Sequence, residues 1–410
     1  MYIRRAAEKV ILEISQTFRV LLVTGARQTG KTTLLKHLAE PERGYVTLDD
    51  LAERTLAKQD PHLFLEQHPA PVIIDEIQYA PELLSYIKII VDSSEKKGGF
   101  WLTGSQTFSM MKNVSESLAG RVGIFQLYGL SQAEIEGRPT LPFTTDHEEM
   151  ERRASSIQKK GLMDIYRTIF SGSMPEIVAN PAIDRERFYQ SYIETYLTRD
   201  INDLQQVGDK TAFYRFLIAV AARTGRMVIY SDLAKDADIS VPTAKKWLSI
   251  LVASNIVALV QPFYNNILKR AVKAPIMHFL DTGLCAYLLR WDSPETLERG
   301  AMSGNFFETF VFSEIYRSFI NAGEIPPLYY YRDSDKKEID LLIYRNNTVY
   351  PIEIKKSSHP DKTAVRAFKV FDRPENSEGF PQLGEGAVVC LSESVFPITR
   401  NIWMIPAWLI

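Results

Sequence analysis

Gly25-Ala26-Arg27-Gln28-Thr29-Gly30-Lys31-Thr32 is the stretch that decides how this chain reads. It fits G-x-x-x-x-G-K-[ST] at every fixed position, the spacing of a loop that cradles phosphates. The flanks supply the required context. Arg19-Val20-Leu21-Leu22-Val23-Thr24 is a short apolar run suited to a buried parallel strand, and Thr33 to Glu40 reads as a helix. Gly25 and Gly30 let the backbone turn so that amides converge on phosphate oxygens, from Gly25, Ala26, Arg27, Gln28, Thr29 and Gly30 through Lys31, Thr32 and Thr33. The helix N-terminus adds the positive end of its dipole. Lys31 brings a cation to the β- and γ-phosphates, and Thr32 a hydroxyl to Mg²⁺. The expected cofactors are therefore ATP and Mg²⁺.

A second strand, Val72-Ile73-Ile74, ends in Asp75-Glu76. An acid at the C-terminal end of a parallel strand lies where ligands bind such sheets. Asp75 is the expected holder of Mg²⁺, and Glu76 the expected general base on the attacking water. A third strand, Gly99 to Gly104, ends at Ser105-Gln106, so Gln106 or Ser105 is placed to sense the γ-phosphate. Arg121, in Ser117-Leu118-Ala119-Gly120-Arg121-Val122, is a candidate for stabilising transition-state charge, in cis or across an interface.

The stretches GARQTGKTT, VIIDEIQ, LTGSQ and SLAGRV resemble those of prokaryotic AAA-type ATP-binding proteins that carry a C-terminal domain of unknown function. YIETYLTRDINDL (Tyr192 to Leu204) and Phe279-Leu280-Asp281-Thr282-Gly283-Leu284 extend the resemblance over nearly the whole chain. It implies a P-loop ATPase with an acidic pair after the second strand. It implies no settled partner or oligomeric state, so a protein partner and an oligomer both stay open.

Farther on, a polar linker is expected near 140–151, and helices from about Asp146 to Leu204, with Arg199-Asp200 read as a helix–helix ion pair or a second arginine near nucleotide or partner. A buried helix from Phe213 to Arg223 precedes Ser231 to Ala237, with Ser231 as the expected N-cap, and then Val241 to Leu251. That is helix–turn–helix spacing. A strand at Ile256–Gln261, a turn at Asn265-Asn266 and a basic strand with Lys269, Arg270 and Lys273 complete a winged-helix pattern. Thr243, Lys245 and Lys246 are placed to meet DNA, against the acidic Asp232, Asp236 and Asp238. Winged helices also serve as lids or protein adaptors.

The last third carries a second constellation. Lys337 to Tyr344 alternates as a strand, Asn346-Asn347 tolerates the positive φ of a two-residue turn, and Val349 to Lys355 returns. Counting from the turn sets Arg345 opposite Thr348 and Asp340 opposite Glu353, with Lys355 on the same face as Glu353. Opposed carboxylates need a counter-ion, and Mg²⁺ is the economical one. Glu308, on an otherwise apolar helical face, adds an acid. D…E-x-K resembles the PD-(D/E)XK nuclease core, with Ile339 where the pattern's name has proline. The resemblance implies Asp340 and Glu353 as metal ligands, Lys355 on the water and Glu308 in support. Nearby Arg332, Lys336, Lys337 and Lys356 add local phosphate attraction.

Composition excludes other classes. The 410 residues, sufficient for two to four domains, are 45% hydrophobic and 24% charged, with net charge −2. A disordered chain, a collagen, a coiled-coil rod and a globally basic nucleic-acid binder are excluded. The two cysteines, Cys285 and Cys390, make no ligand spacing, and a reducing cytoplasmic setting is expected. Leu248 to Phe263 is too short and too broken by polar residues to span a membrane. The expected fold class is α/β: a P-loop AAA/ASCE-type parallel-sheet domain at 1–140, a helical lid at 141–208, a winged helix at 209–280 and a PD-(D/E)XK-like domain at 281–410. The expected function is an ATPase cycle acting on DNA-binding modules, with cleavage of that DNA left open, the alternative being a nucleotide-driven protein-binding switch with a catalytically silent nuclease-like domain.

Overall fold

A computed structural model describes residues 2–105, 108–199, 209–264, 274–335, 337–372 and 380–410. The first unit is a five-stranded sheet of β1 (Val20–Gly25), β2 (Gly44–Thr47), β3 (Val72–Asp75), β4 (Phe100–Ser105) and β5 (Val122–Gln126). The order is β2-β3-β4-β1-β5, and every pair is parallel. The unbroken apolar run of β1 follows from burial on both faces. Val20, Leu22, Ile74 and Leu102 feed one hydrophobic cluster; Leu21, Val23, Ile73 and Trp101 feed another on the opposite face. The alternation is the strand's period of two.

The second sheet contains β6 (Arg226–Met227), β7 (Val257–Pro262), β8 (Ile276–Phe279), β9 (Leu328–Arg332), β10 (Glu338–Arg345), β11 (Thr348–Ile354), β12 (Gln382–Leu383), β13 (Gly386–Cys390), β14 (Phe396–Thr399) and β15 (Ile402–Pro406). Its order is β14-β15-β13-β11-β10-β9-β7-β8-β6, with β12 beside β11. The parallel pairing of β7 with β9 carries the sheet across residue 280, where the sequence places a domain boundary. One hydrophobic cluster likewise runs from Tyr128 to Leu409.

Three helices surround the small strands in the order helix–strand–helix–helix–strand–strand: α1 (Lys210–Ala221), β6, α2 (Tyr230–Ala237), α3 (Val241–Ala253), β7, β8. Ser240 caps α3 by accepting from the Thr243 amide, and Pro242 lies in its first turn, where no amide partner is lost. Ser231 is not a cap. The helix begins one residue earlier, at Tyr230, with Ile229 in the cap position and no side-chain bond. The expected wing turn at Asn265-Asn266 and Lys269, Arg270 and Lys273 fall outside the described residues, as do Asp200 and Lys336; nothing is described of the Arg199 side chain.

The expected linker near 140–151 is docked against the second unit. The Phe143 amide donates to Ser318 Oγ at 2.9 Å, and His147 stacks on Trp403 with ring centroids 3.9 Å apart. The helix spanning Ser303–Asn321, α4, carries Glu308 and buries residues on nearly every side, as a helix inside a core does. Both cysteines are free and buried.

Candidate functional site

The loop after β1 has the backbone that the sequence demands. Gly25 has φ +148°, and a Cβ there would lie 2.1 Å from the Leu127 carbonyl oxygen. Gly30 is left-handed at φ 88° and opens the helix Lys31–Leu38. Lys31 is buried, its Nζ donating to the Gly25 and Ala26 carbonyls at 3.2 and 2.9 Å, so its ammonium lies over the hollow of the loop. Thr29 Oγ1 donates to the Ala26 carbonyl at 2.9 Å.

Thr32 and Asp75 meet as the sequence expects: Thr32 Oγ1 donates to Asp75 Oδ1 at 2.8 Å. Two further hydroxyls reach the same carboxylate. Tyr45 donates to Oδ2 at 3.0 Å, and Thr103 donates to Oδ1. Asp75 thus lies buried with both oxygens engaged by neutral donors. Glu76 adopts a left-handed backbone at φ 60°; its amide donates to Thr103 Oγ1 at 3.2 Å and its carboxylate accepts from Gln78. A left-handed non-glycine residue carries strain that functional sites commonly hold.

Two phosphate-site expectations end differently. Gln106 lies outside the described residues, and of Ser105 only the backbone, closing β4, is described. Arg121 lies away from the phosphate loop of its own chain. It directly precedes β5, whose first residue pairs beside Val20 at the start of β1, so it lies at the edge of the sheet opposite the phosphate loop. The span of β1 at about 3.3 Å per residue separates the two. There Arg121 bonds to Asp92 and to the Ala119 carbonyl at 2.9 Å.

Sequence reasoning missed Arg5. Its buried guanidinium donates to the Thr29 carbonyl at 2.8 Å, to the Tyr128 carbonyl at 2.7 Å and to Glu134 Oε1 at 2.9 Å. It therefore braces the phosphate loop against the segment following β5. Tyr45 and Thr103 were missed as well. Nothing local marks any of the three, because each partner comes from another strand or a distant segment.

The second constellation forms by the hairpin count. Asn346 and Asn347 have φ of 49° and 57°, and Arg345 pairs with Thr348 and Leu341 with Ile352. The next step of that register brings Asp340 to Glu353. Asp340 Oδ2 accepts from the Ile354 amide at 2.8 Å, and Lys355 Nζ lies 2.5 Å from Glu353 Oε1 and 3.6 Å from Asp340 Oδ2. Glu353 Oε2 is buried and has no hydrogen-bond partner among the described residues. Glu308 points in from α4, its Oε1 4.0 Å from His278 Nε2.

Burial raises the pKa of all three acids. For Glu353 burial, with the charge of Asp340, pushes it up to about 8. Burial, then Asp340, holds Glu308 far above the usual carboxylate range. Burial raises Asp340 too, against the pull of Lys355. Burial works against the charge of Lys355, but Asp340 and Glu353 outweigh it and raise its pKa. Burial drives His278 down to about 3, so it is neutral at physiological pH.

Metal fit at this cluster is partial. Among the described residues no group of three or more His, Cys, Asp and Glu side chains is positioned to hold a metal ion. The geometric reason is that Lys355 bridges the two strand acids while Glu308 faces His278. The unpartnered Glu353 oxygen is nevertheless the kind of acceptor a divalent cation satisfies.

Comparison with known proteins assigns the first site. Residues 17–136 match the AAA domain family. This part of the chain is similar to AAA-type P-loop domains. Residues 163–295 and 303–410 match two domains of unknown function, DUF8612 and DUF4143. Uncharacterised proteins of Mycobacterium tuberculosis and Mycobacterium bovis are each 28% identical over 390 residues, covering 95% of this chain and 80% of theirs. Thermotoga maritima RuvB is 19% identical and covers 61% of this chain and 86% of its own, but at a TM-score of 0.28 it carries no structural argument. The same holds for a DNA replication initiation factor, 9% identical, covering 76% of this chain and 91% of its own, at 0.26. No described helix is long and apolar enough to cross a membrane.

Proposed function

We propose that the chain is a Mg²⁺-dependent ATPase whose nucleotide cycle acts on DNA held by its C-terminal unit. The observation that carries the reading is the Thr32–Asp75 pair, set at the C-terminal edge of a parallel sheet beside a left-handed glycine and Lys31. The amides from Gly25 to Thr33 would take the phosphates, Lys31 the β- and γ-phosphates, and Thr32 with Asp75 the Mg²⁺ ion. Mg²⁺ supplies charge neutralisation between the phosphates. Glu76, at the end of the same strand, is the general base that accepts the proton of the attacking water. Arg121 has no part in its own chain's site.

The C-terminal unit supports the DNA half of the reading. The order of α1, β6, α2, α3, β7 and β8 is in keeping with a winged helix, and Lys245 and Lys246 stand exposed on α3, where they would reach phosphates of bound DNA. Asp340, Glu353 and Lys355 lie together on a hairpin beside α4, in keeping with a PD-(D/E)XK-like site. Asp340 and Glu353 would hold Mg²⁺ once Lys355 yields its place between them. Mg²⁺ supplies stabilisation of charge on the phosphodiester, and Lys355 orients the water. Glu308 supports the arrangement from the helix.

One observation favours a second reading, a nucleotide-driven switch that binds protein and cuts nothing: Lys355 already stands between both acids, where a metal ion would sit. Two measurements decide. Phosphate release from ATP should vanish in Lys31→Ala under either reading. Mg²⁺-dependent nicking of linear, single-stranded or branched DNA, lost in Asp340→Ala, belongs only to the first; a wild-type protein that cuts none of these with Mg²⁺ or Mn²⁺, with or without ATP, leaves the switch.

A further inference from the structure

A cleft of about 580 Å³ adjoins the acid cluster. Gly225 and Glu338 border both. A Cβ added to Gly225 would lie 3.6 Å from Glu308 Oε1, and the charge of Glu338 helps raise the Glu308 pKa. Glu338 also stands two residues before Asp340 on β10.

Two arginines line this cleft, Arg226 on β6 and Arg332 at the end of β9. Neither forms an ion pair with a carboxylate among the described residues. Arg332 Nη1 makes only a 3.6 Å contact to Met227 Sδ. A third arginine, Arg223, is bonded to Asp236. Asp232 and Glu338 also face the space, so attraction is focused at the two unpaired guanidinium groups rather than spread along the walls. Met227 and Ile229 give it an apolar side, with Ile229 48% exposed. Both arginines stand on strands of one continuous sheet, which fixes their spacing better than loops would.

Unpaired guanidinium groups beside apolar surface match a phosphate chain with its sugars and bases. The volume is that of a small-ligand pocket, enough for a thin strand and not for a duplex. We infer that the cleft receives single-stranded nucleic acid, a phosphate held between Arg226 and Arg332, and leads the adjoining phosphodiester toward Asp340 and Glu353. This rests on the reading of the acid cluster as a phosphodiester site.

The test is fluorescence anisotropy with a short fluorescein-labelled oligonucleotide, single-stranded or annealed, in EDTA so that binding is read without cleavage. Wild-type protein should bind the single strand more tightly than the duplex. Arg226→Glu with Arg332→Glu should weaken single-strand binding roughly tenfold or more. It should also flatten the dependence of log K on log salt by about 0.7, the value for the one phosphate that the two arginines hold. Arg226→Lys with Arg332→Lys should keep most of the affinity, and Arg226→Glu alone, at an exposed position, should show part of the loss with an unchanged unfolding midpoint. Oligodeoxyribonucleotide and oligoribonucleotide arms show which sugar is taken. Equal single-strand affinity after charge reversal overturns the inference, as does an equal loss of duplex affinity. Cleavage in Mg²⁺ by wild type and Asp340→Asn is scored separately. Strand binding without cleavage removes the phosphodiester reading and keeps the cleft, while cleavage with binding indifferent to both arginines removes only the cleft.

Discussion

The chain holds two buried carboxylate sites built on opposite plans. At the phosphate loop, Asp75 is surrounded by three neutral hydroxyls, from Thr32, Thr103 and Tyr45. In the hairpin cluster, Asp340 and Glu353 share one lysine, Glu308 faces His278, and one Glu353 oxygen has no partner among the described residues. The first carboxylate is positioned without a second charge, so its geometry survives arrival and departure of a cation. The second set is electrostatically unfinished: burial pushes all three acids toward protonation, and only a counter-charge or a proton relieves it. A preorganised site and a frustrated site in one molecule should answer differently to substitution.

The largest effect belongs to the preorganised site. Lys31→Ala should lower phosphate release about a hundredfold or more, since the loop's one buried ammonium is lost where charge develops. Turnover that survives this change would end the nucleotide reading. Asp340→Asn comes next and should act in two directions, abolishing Mg²⁺-dependent cleavage while relieving the buried charge that raises the Asp340 pKa, so that the metal-free protein gains stability above neutrality.

The same frustration gives a pH signature. Folded Glu353 keeps its proton up to about pH 8, whereas its ordinary value is 4.5. The folded state therefore binds more protons in that interval. Its contribution to stability is complete below about 4.5 and is lost as pH rises through about 8. Melting midpoints in EDTA should fall over this range, and Mg²⁺ or Glu353→Gln should flatten the curve. A midpoint that rises with pH across the interval would show that Lys355 already balances the cluster.

What the sequence could disclose follows the same division between local and distant. The phosphate loop is eight consecutive residues, and the hairpin register is a count outward from Asn346-Asn347, so both were legible. Tyr45 and Thr103 reach Asp75 only because β2 and β4 flank β3, an order no spacing encodes. Arg5 and Glu134 are 129 positions apart. The parallel pairing of β7 with β9 fuses two stretches that read as separate modules, since each stretch looks complete by its own periodicity. Ser231 has the residue type of a cap, but Tyr230 already has helical backbone, which moves the cap two residues back, to Ile229.

Tyr45→Phe sharpens the contrast from the other side. It removes one of the three hydroxyl donors and leaves the ring, beside which Lys36 Nζ sits 3.5 Å from the centroid. A hydrogen bond to a carboxylate contributes about 1.5–3 kcal/mol net, so the expected loss in ATP turnover is roughly ten- to a hundredfold. A loss well beyond a hundredfold would mean that Tyr45 touches nucleotide itself.

Arg121→Ala should do least. The residue lies at the far edge of the sheet, half-exposed, and its bonds go to Asp92 and Ala119. An exposed ion pair of this kind contributes little, and turnover per chain should stay within about twofold when measured on dilute protein. The experiment also bears on assembly. The far edge of one sheet can face the phosphate loop of another copy, so a large loss that appears only as protein concentration rises would place Arg121 in a neighbour's site. A large loss at every concentration contradicts the position of β5 and, with it, the order of the sheet.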